Sequence, residues 1–440
     1  MRKTFRYIFM LQACMWLLPI HAQQFTLDQC IESALRNNAD LKNARLDINM
    51  AAEQVASART NYFPQVSAMG VGFVGAKDLM RSTMEIPGMD LTPLGMPIAT
   101  PPSSYPISMI KKGVVANLTA MQPLYAGGQI VNGNKLADLQ QEVKQLQLEM
   151  TEKDVRQNVQ NYYWQLVGLR GNITTLDAVD KQLDEVHRLT ENFVKAGVIN
   201  RNDLLRVELK QQEMQSQRLS LNNGIEMLRL LLAQLVGAEF SSFDIAPADM
   251  LQPQSPDTYF VSPDQAVANR EEVALTAQSV RANELQVKMT HGKNLPSVAV
   301  GAAAMYMNVM DQNQGNLVGL ATVSIPISSW WGGSHDLKRA RMAVEQSRNT
   351  MTDVQQKLHI DILNAWNQLN EAYAQIEIAR KSVVQADENL RLNTDQYRVG
   401  AIGMTDLLDA VTLYTQSHSN LVSACANYQN KLADYQRKTK

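Results

Sequence analysis

The apolar residues of this chain follow a helical period over most of its length. Between 128 and 196 they recur in alternating steps of three and four, which is the heptad pattern of helices packed as coiled coils. A helix of this length is about 100 Å long. The order recurs at 333–399, so the sequence predicts two long helices. The heptad positions of the first are Leu136, Leu139, Val143, Leu146, Met150, Val159, Tyr162, Leu166, Leu169, Ile173 and Leu176.

Four shorter segments alternate with period two and predict β-strands. They lie in two pairs, at 65–74 and 113–125 and at 296–309 and 317–327. A predicted helix precedes each pair, at 25–61 and 263–293. A returning helix follows each long helix, at 204–236 and from the second tip to about Tyr435.

Matching landmarks show that one unit is written twice. Gly197 and Gly400 are 203 residues apart, as are Pro123 and Pro326. The predicted divisions are a signal peptide at 1–22, a first repeat at 23–237, a connecting segment at 238–260 and a second repeat at 261–440.

The clearest mark of each copy is a glycine turn between two helices. The second tip, Tyr397–Ala410, reads Y-R-V-G-A-I-G-M-T-D-L-L-D-A, and the first tip lies at 196–203. Glycine permits the backbone of a tight turn, and Thr405 or Asp406 can cap the next helix. Each tip is therefore predicted to end a helical hairpin.

The N-terminus has the pattern of a secretory signal peptide. Basic residues precede a mainly apolar run at 7–20, and cleavage is expected after Ala22. The run is shorter than a transmembrane anchor needs. A second alternative, lipidation of Cys14, is the weaker one because few apolar residues precede Leu11–Cys14 and the run continues beyond them.

Composition excludes some functions. A net charge of −2 gives no general attraction to nucleic acid. The six histidines are scattered, and the sequence shows no nucleophile–base set or metal-ligand spacing, so we expect neither an enzyme nor a cofactor or metal site. A segment at 77–112 is rich in Pro and Met; thioethers could bind a soft metal, but a flexible apolar loop is favoured. Cys30 and Cys425 are predicted to lie about 20 Å apart along the helices, too far for a disulfide.

Four strands cannot close a barrel, and open sheet edges are not tolerated in a bilayer. A membrane-spanning version must pool strands, and three chains would supply twelve. Aromatic pairs at the strand–helix junctions suit an interfacial belt, although ordinary junction packing is the alternative. The proposed belt residues are Tyr62, Phe63, Tyr125, Trp330 and Trp331.

The repeat order, with P-L-Y-A-G-G at 123–128 and Y-R-V-G…D-L-L-D-A at 397–410, resembles the TolC family of outer-membrane efflux ducts. The resemblance covers essentially all of the mature chain. It implies a mostly α protein whose homotrimer forms a twelve-stranded barrel in outer-membrane lipid and an α-helical periplasmic tunnel. It also implies two partners, a periplasmic adaptor and an inner-membrane pump driven by protons.

The resemblance also implies a gate at the second tip. Asp406 and Asp409 match its constriction, and threefold symmetry would gather six carboxylates that repel one another and attract cations. Alternatively, Asp406 is a helix cap and Asp409 lies on a solvated face. Tyr397 and Asp203 match the latch of the closed state, in turns formed by Gly400 and Gly197. Ile402 stands where the family has an arginine, and Arg201 and Arg398 are candidates to replace it.

The predicted function is a passive export duct opened by contact with its partners. A type I secretion duct or a metal-efflux duct of the same family remains an alternative. So does a soluble periplasmic coiled-coil adaptor, although that protein would have no use for four barrel-length strands. The transported substrate is not readable from the sequence.

Overall fold

The computed structural model describes residues 23–77, 81–89, 100–108, 111–309, 312–327 and 329–440. The predicted signal peptide, with Cys14, lies outside them. The strands are β1 Gln23–Phe25, β2 Gln65–Val74, β3 Arg81–Ile86, β4 Ser103–Ser108, β5 Lys112–Ala126, β6 Phe243–Ile245, β7 Ser297–Val309 and β8 Gln312–Ser324. The helices are α1 Leu27–Asn37, α2 Ala39–Thr60, α3 Gln129–Lys195, α4 Arg201–Val236, α5 Pro263–Ala268, α6 Glu271–Gly292, α7 Ser329–Arg398 and α8 Met404–Thr439, with a 3-10 turn at Pro256–Tyr259.

The chain divides into two compact units. The first comprises Met1–Asn49, Val143–Ala277 and Asn349–Lys440, and the second comprises Met50–Glu142 and Gln278–Arg348. The first unit contains the hairpin tips and the large buried clusters. The second contains the main sheet.

Both long helices are confirmed, with 67 residues in α3 and 70 in α7. The packed seam of α3 differs in part from the predicted heptad. Tyr163 and Val167 are buried, whereas Tyr162 is only partly so. The reason is that α3 packs against several elements, so its buried stripe is wider than a two-helix seam.

The two predicted helices before the strand pairs are each broken. In the first, Asn38 separates α1 from α2, and its side-chain Oδ1 accepts a hydrogen bond from the amide of Asp40 at 2.8 Å. Asparagine favours such local bonds over continued helix. In the second, Asn269 and Arg270 separate α5 from α6. Apolar periodicity continued through both breaks and so did not reveal them.

The main sheet is antiparallel with the strand order β2-β5-β7-β8. All four predicted strands are present, but β8 begins at Gln312 and ends at Ser324, earlier than predicted at both ends. The hairpin register pairs Val309 with Gln312, so β8 includes residues 312–316, which were predicted as part of the loop. Pro123 lies within β5 at a register shift, whereas Pro326 follows β8, so these matched prolines are not structurally equivalent.

Two small sheets were not predicted. β1 pairs in parallel with β6, which lies in the predicted connecting segment. β3 pairs with β4 inside the segment predicted as a flexible loop, so the described part of that segment is a second hairpin. The Met and Pro residues weaken the alternating pattern there, so the sequence did not predict these strands. Residues 78–80, 90–99 and 109–110 lie outside the described residues.

The larger buried cluster of the first unit contains both cysteines. Cys30 and Cys425 are free and fully buried, as the prediction of two free thiols requires. Burial raises the pKa of Cys30 to about 12 and that of Cys425 to about 11. Both thiols are therefore protonated at neutral pH.

An ionic cluster fixes the end of α8 in the same unit. The Arg437 Nε donates to Asp154 on α3 at 2.7 Å, and its Nη1 donates to Glu272 on α6 at 3.3 Å. Arg270 bonds the same Glu272 carboxylate and the Arg437 carbonyl. Burial raises the pKa of Glu272, but a backbone hydrogen bond and both guanidiniums outweigh it and hold the pKa below its usual value. The last turn of α8 is thereby tied to two other helices.

Candidate functional site

The two tips have the same backbone geometry. Gly197 and Gly400 adopt left-handed φ values of 71° and 74°. Their amides donate to the carbonyls of Val194 and Tyr397, each at 3.0 Å. Only glycine adopts this conformation without steric cost. The repeat read from the sequence is therefore a repeat of structure at the tips.

Four helices pack against one another at the tips through a shared apolar cluster. We call it the tip cluster; its buried members are Leu176, Val179, Leu183, Val186, Val207, Met214, Leu390, Tyr397, Met404, Leu407, Ala410 and Val411. The first four follow steps of three and four along α3, as a coiled-coil face does. The cluster joins hairpin α3–α4 to hairpin α7–α8.

Tyr397 is the polar centre of this contact. It is 4% exposed, its hydroxyl lies 3.3 Å from Thr190 Oγ1, and its ring packs 6.1 Å from that of Phe193. Thr190 donates its own proton to the Val186 carbonyl at 2.7 Å, so Tyr397 is the donor in the shared bond. Burial raises the pKa of Tyr397, and the charge of Asp203 raises it further.

The predicted latch pairs Tyr397 with Asp203. In the structure the charge of Asp203 acts on Tyr397, but the Tyr397 hydroxyl forms its hydrogen bond with Thr190. Thr190 carried no signal in the sequence, because a threonine within a long helix has no distinctive spacing.

A second polar contact joins the hairpins at the surface. Arg206 Nη1 donates to Thr405 Oγ1 at 2.7 Å. Arg206 is the first-repeat counterpart of Asp409, so the difference between the copies was visible in the sequence although the contact was not. Arg398 Nη2 lies 3.9 Å from Glu185 Oε2, and this ion pair also links the two hairpins. Ile402 packs against the tip cluster in the position of the family's arginine.

The two predicted gate acids lie on the exposed side of α8. Asp406 and Asp409 are exposed, whereas Leu407 and Ala410 are 0% and 2% exposed. Gly403 is the N-cap of α8, and Asp406, the third residue of the helix, accepts a hydrogen bond from the Gly403 amide at 3.3 Å, as the third residue of a capping box does. Thr405, the other predicted cap, instead binds Arg206. Both carboxylates are therefore presented outward from one face of the hairpin.

The proposed belt residues are exposed in the second unit. The exposed fractions are 47% for Tyr62, 64% for Phe63, 48% for Tyr125 and 70% for Trp331. Within the single chain these side chains are not packed into a junction core. The side chain of Trp330 lies outside the described residues. Within the described part of the chain, no helix is long and apolar enough to cross a membrane.

Comparisons with known proteins agree with this geometry. The sequence pattern of the outer membrane efflux protein family matches residues 30–238 and 262–435. The outer membrane efflux protein BepC of Brucella suis is 23% identical over 389 residues, covering 88% of this chain and 78% of its own.

Solved structures share the fold. The outer-membrane channel OprN has a TM-score of 0.75 at 16% identity, covering 94% of this chain and 89% of its own. VceC of Vibrio cholerae has a TM-score of 0.73 at 15% identity, covering 94% of this chain and 96% of its own. Because the family match spans both repeats, the alternative of a soluble periplasmic adaptor is rejected. The chain therefore belongs to the outer membrane efflux protein family and is an efflux channel of the outer membrane.

Proposed function

We propose that this channel is a passive homotrimeric duct whose periplasmic end is closed by hairpin α7–α8 and opens when that hairpin moves away from α3–α4. The observation that carries the proposal is the construction of the tips. One large apolar cluster and three separate polar contacts join the two hairpins within a chain. Polar contacts that can be remade with water suit an interface that opens and closes repeatedly.

The sheet supports the trimer. Within the described residues, β2 and β8 each pair with one neighbouring strand, which leaves an edge on either side of the sheet. Pairing β8 of one copy with β2 of the next in three chains gives a closed twelve-stranded barrel and removes every edge. The exposed aromatics next to the strands then meet the membrane interface.

The exposed carboxylates give the closed end its selectivity. Asp406 and Asp409 from three copies would place six negative charges around the axis, which favours cations and opposes anions. The gate is therefore both a narrow point and an electrostatic filter.

Membership of the efflux family supports partners on the periplasmic side. We assign them as a periplasmic adaptor that contacts the tips and a proton-driven inner-membrane pump that supplies the substrate. Multidrug-type efflux is the leading form, with metal efflux and type I secretion as the alternatives. Mild cross-linking in cells, followed by identification of the co-purifying inner-membrane protein, separates these forms.

The gate is tested by replacing both acids. The double variant Asp406→Ala, Asp409→Ala should raise single-channel conductance in a planar bilayer and reduce the preference for cations, because the negative ring is lost. Asp257→Ala, an exposed acid in the connecting segment, is the matched control and should leave both properties unchanged. Unaltered conductance and ion preference in the double variant would refute the assignment.

The duct itself is tested by fractionation. Outer-membrane detergent extracts should contain a trimer that heating converts to monomer. Recovery of the protein as a soluble periplasmic monomer would contradict a membrane duct.

A further inference from the structure

A cavity of about 570 Å³ lies in the first unit between α3, the connecting segment and α8. Its walls are mainly apolar and include Ile245, Met250 and Val422, each less than a tenth exposed. Gly171 and Ala178 of α3 also line the cavity. Its size lies within the range of about 300–1,000 Å³ found for small-molecule sites.

The lining contains one guanidinium, that of Arg170, and one carboxylate, that of Asp249. Arg170 is the positive group of the lining, and its guanidinium is already engaged by the Asp244 carboxylate and, at 3.1 Å, by the Ile245 carbonyl. Asp249, also in the lining, is exposed, and one oxygen accepts from the Leu251 amide at 2.8 Å. Within the described residues, Asp249 forms no salt bridge.

The α8 side of the lining contains Tyr414 and His418, and Asp387 binds His418 from outside the lining. His418 Nε2 lies 2.8 Å from Asp387, and the ring of Tyr414 packs on that of His418 with centroids 4.2 Å apart. Arg380, which binds the Leu251 carbonyl, is itself paired with Glu377 at 2.7 Å. Arg170 and Arg380 are each paired with a carboxylate, which leaves Asp249 as the unpaired carboxylate of the lining, in a cavity that also contains the ring of Tyr414, a group that can attract a cation.

We propose that this cavity, which we call the connector cavity, binds a small hydrophobic organic cation, such as an aromatic amine in its protonated form. The apolar walls receive the hydrocarbon part, and Asp249 and Tyr414 receive the ammonium group. A second cavity of about 540 Å³, between α3, α4 and α8, is lined by carboxamide, aliphatic and small side chains without a charged residue, so it offers no such preference. The connector cavity is independent of the gate carboxylates.

The experiment measures binding of 1-naphthylmethylammonium to the full chain in detergent by fluorescence anisotropy, with 1-naphthoate as the probe of opposite charge. The ammonium should bind about three- to tenfold more tightly than the carboxylate, because the partly exposed carboxylate of Asp249 would attract the ammonium and repel the carboxylate over a few Å. Asp249→Asn should weaken ammonium binding by about two- to fivefold. Asp257→Asn, in the same segment but outside the lining, should not change it.

A steric variant tests the location. Ala178 is an exposed lining residue, so Ala178→Phe should fill the cavity without disturbing the core and should abolish binding of both probes. Ala374→Phe, an exposed helical alanine outside the lining, should retain binding. Equal binding of the two probes, no binding by the unaltered protein, or undiminished binding by Ala178→Phe would each overturn the proposal. Channel conductance is not involved, so failure here leaves the proposed gate untouched.

Discussion

Replacing Tyr397 by phenylalanine removes the buried hydrogen bond between the two hairpins and leaves the ring in place. The Thr190 hydroxyl keeps its own donor bond to Val186, so the variant loses one bond without stranding a buried donor. Such a bond contributes about 1 kcal/mol net. That shifts the closed-to-open equilibrium about fivefold for one chain, or about a hundredfold if three chains open together.

Removing the other partner has a larger effect. In Thr190→Val the Tyr397 hydroxyl, buried with its residue at 4% exposure, loses its acceptor, and an unsatisfied buried group costs about 1–3 kcal/mol. The double variant Thr190→Val, Tyr397→Phe removes both polar groups. It should therefore open less readily than Thr190→Val alone, although the single changes are each destabilising.

Open probability in planar bilayers measures all three variants, with Tyr373→Phe as the control because Tyr373 lies outside the tip cluster. The reasoning fails if Tyr397→Phe matches the unaltered channel. It also fails if the double variant shows the product of the two single effects, because that would mean that the hydroxyls do not interact in the closed state.

Three further predictions concern stability and reactivity. Cys30 and Cys425 should resist N-ethylmaleimide at pH 8 in the native protein, because burial raises the pKa of both, and should react after denaturation; fast native labelling would contradict their burial. The pKa of Glu272 is lower in the folded protein than in the unfolded chain. Its contribution to stability is therefore present above the unfolded-state pKa and is lost as the pH falls through the folded-state pKa. Glu272→Gln should reduce the fall of the heat-dissociation temperature at acid pH, and an unchanged pH dependence would refute this. Gly197→Ala should lower the free energy of unfolding by about 1–2 kcal/mol, because alanine is strained in the left-handed backbone conformation of Gly197. Gly237→Ala should lower it further, because a Cβ at Gly237 would also lie 2.5 Å from the Asn37 side chain. Equal denaturation midpoints for the two variants would contradict this prediction.

The sequence by itself determined the long helices, the four strands of the main sheet and their order. The helical period of α3, the alternation of these four strands and the glycines of both tips each follow from local periodicity or backbone chemistry, and the structure confirms the elements that they predict. Element ends were less well determined. Asn38 breaks a helix with a side-chain hydrogen bond, and an apolar pattern that continues through the break cannot show it.

Only the tertiary structure decided which residues meet across the repeat. The sequence pointed to Tyr397 and Asp203, but the buried hydroxyl of Tyr397 binds Thr190, which lies 207 residues away. The tertiary structure also brings Arg206 into contact with Thr405 and forms the connector cavity, which Gly171 and Ala178 line. A contact between distant residues depends on helix rotation and spacing, and these are set by packing of the whole tip cluster, whereas a glycine turn is set by its own backbone.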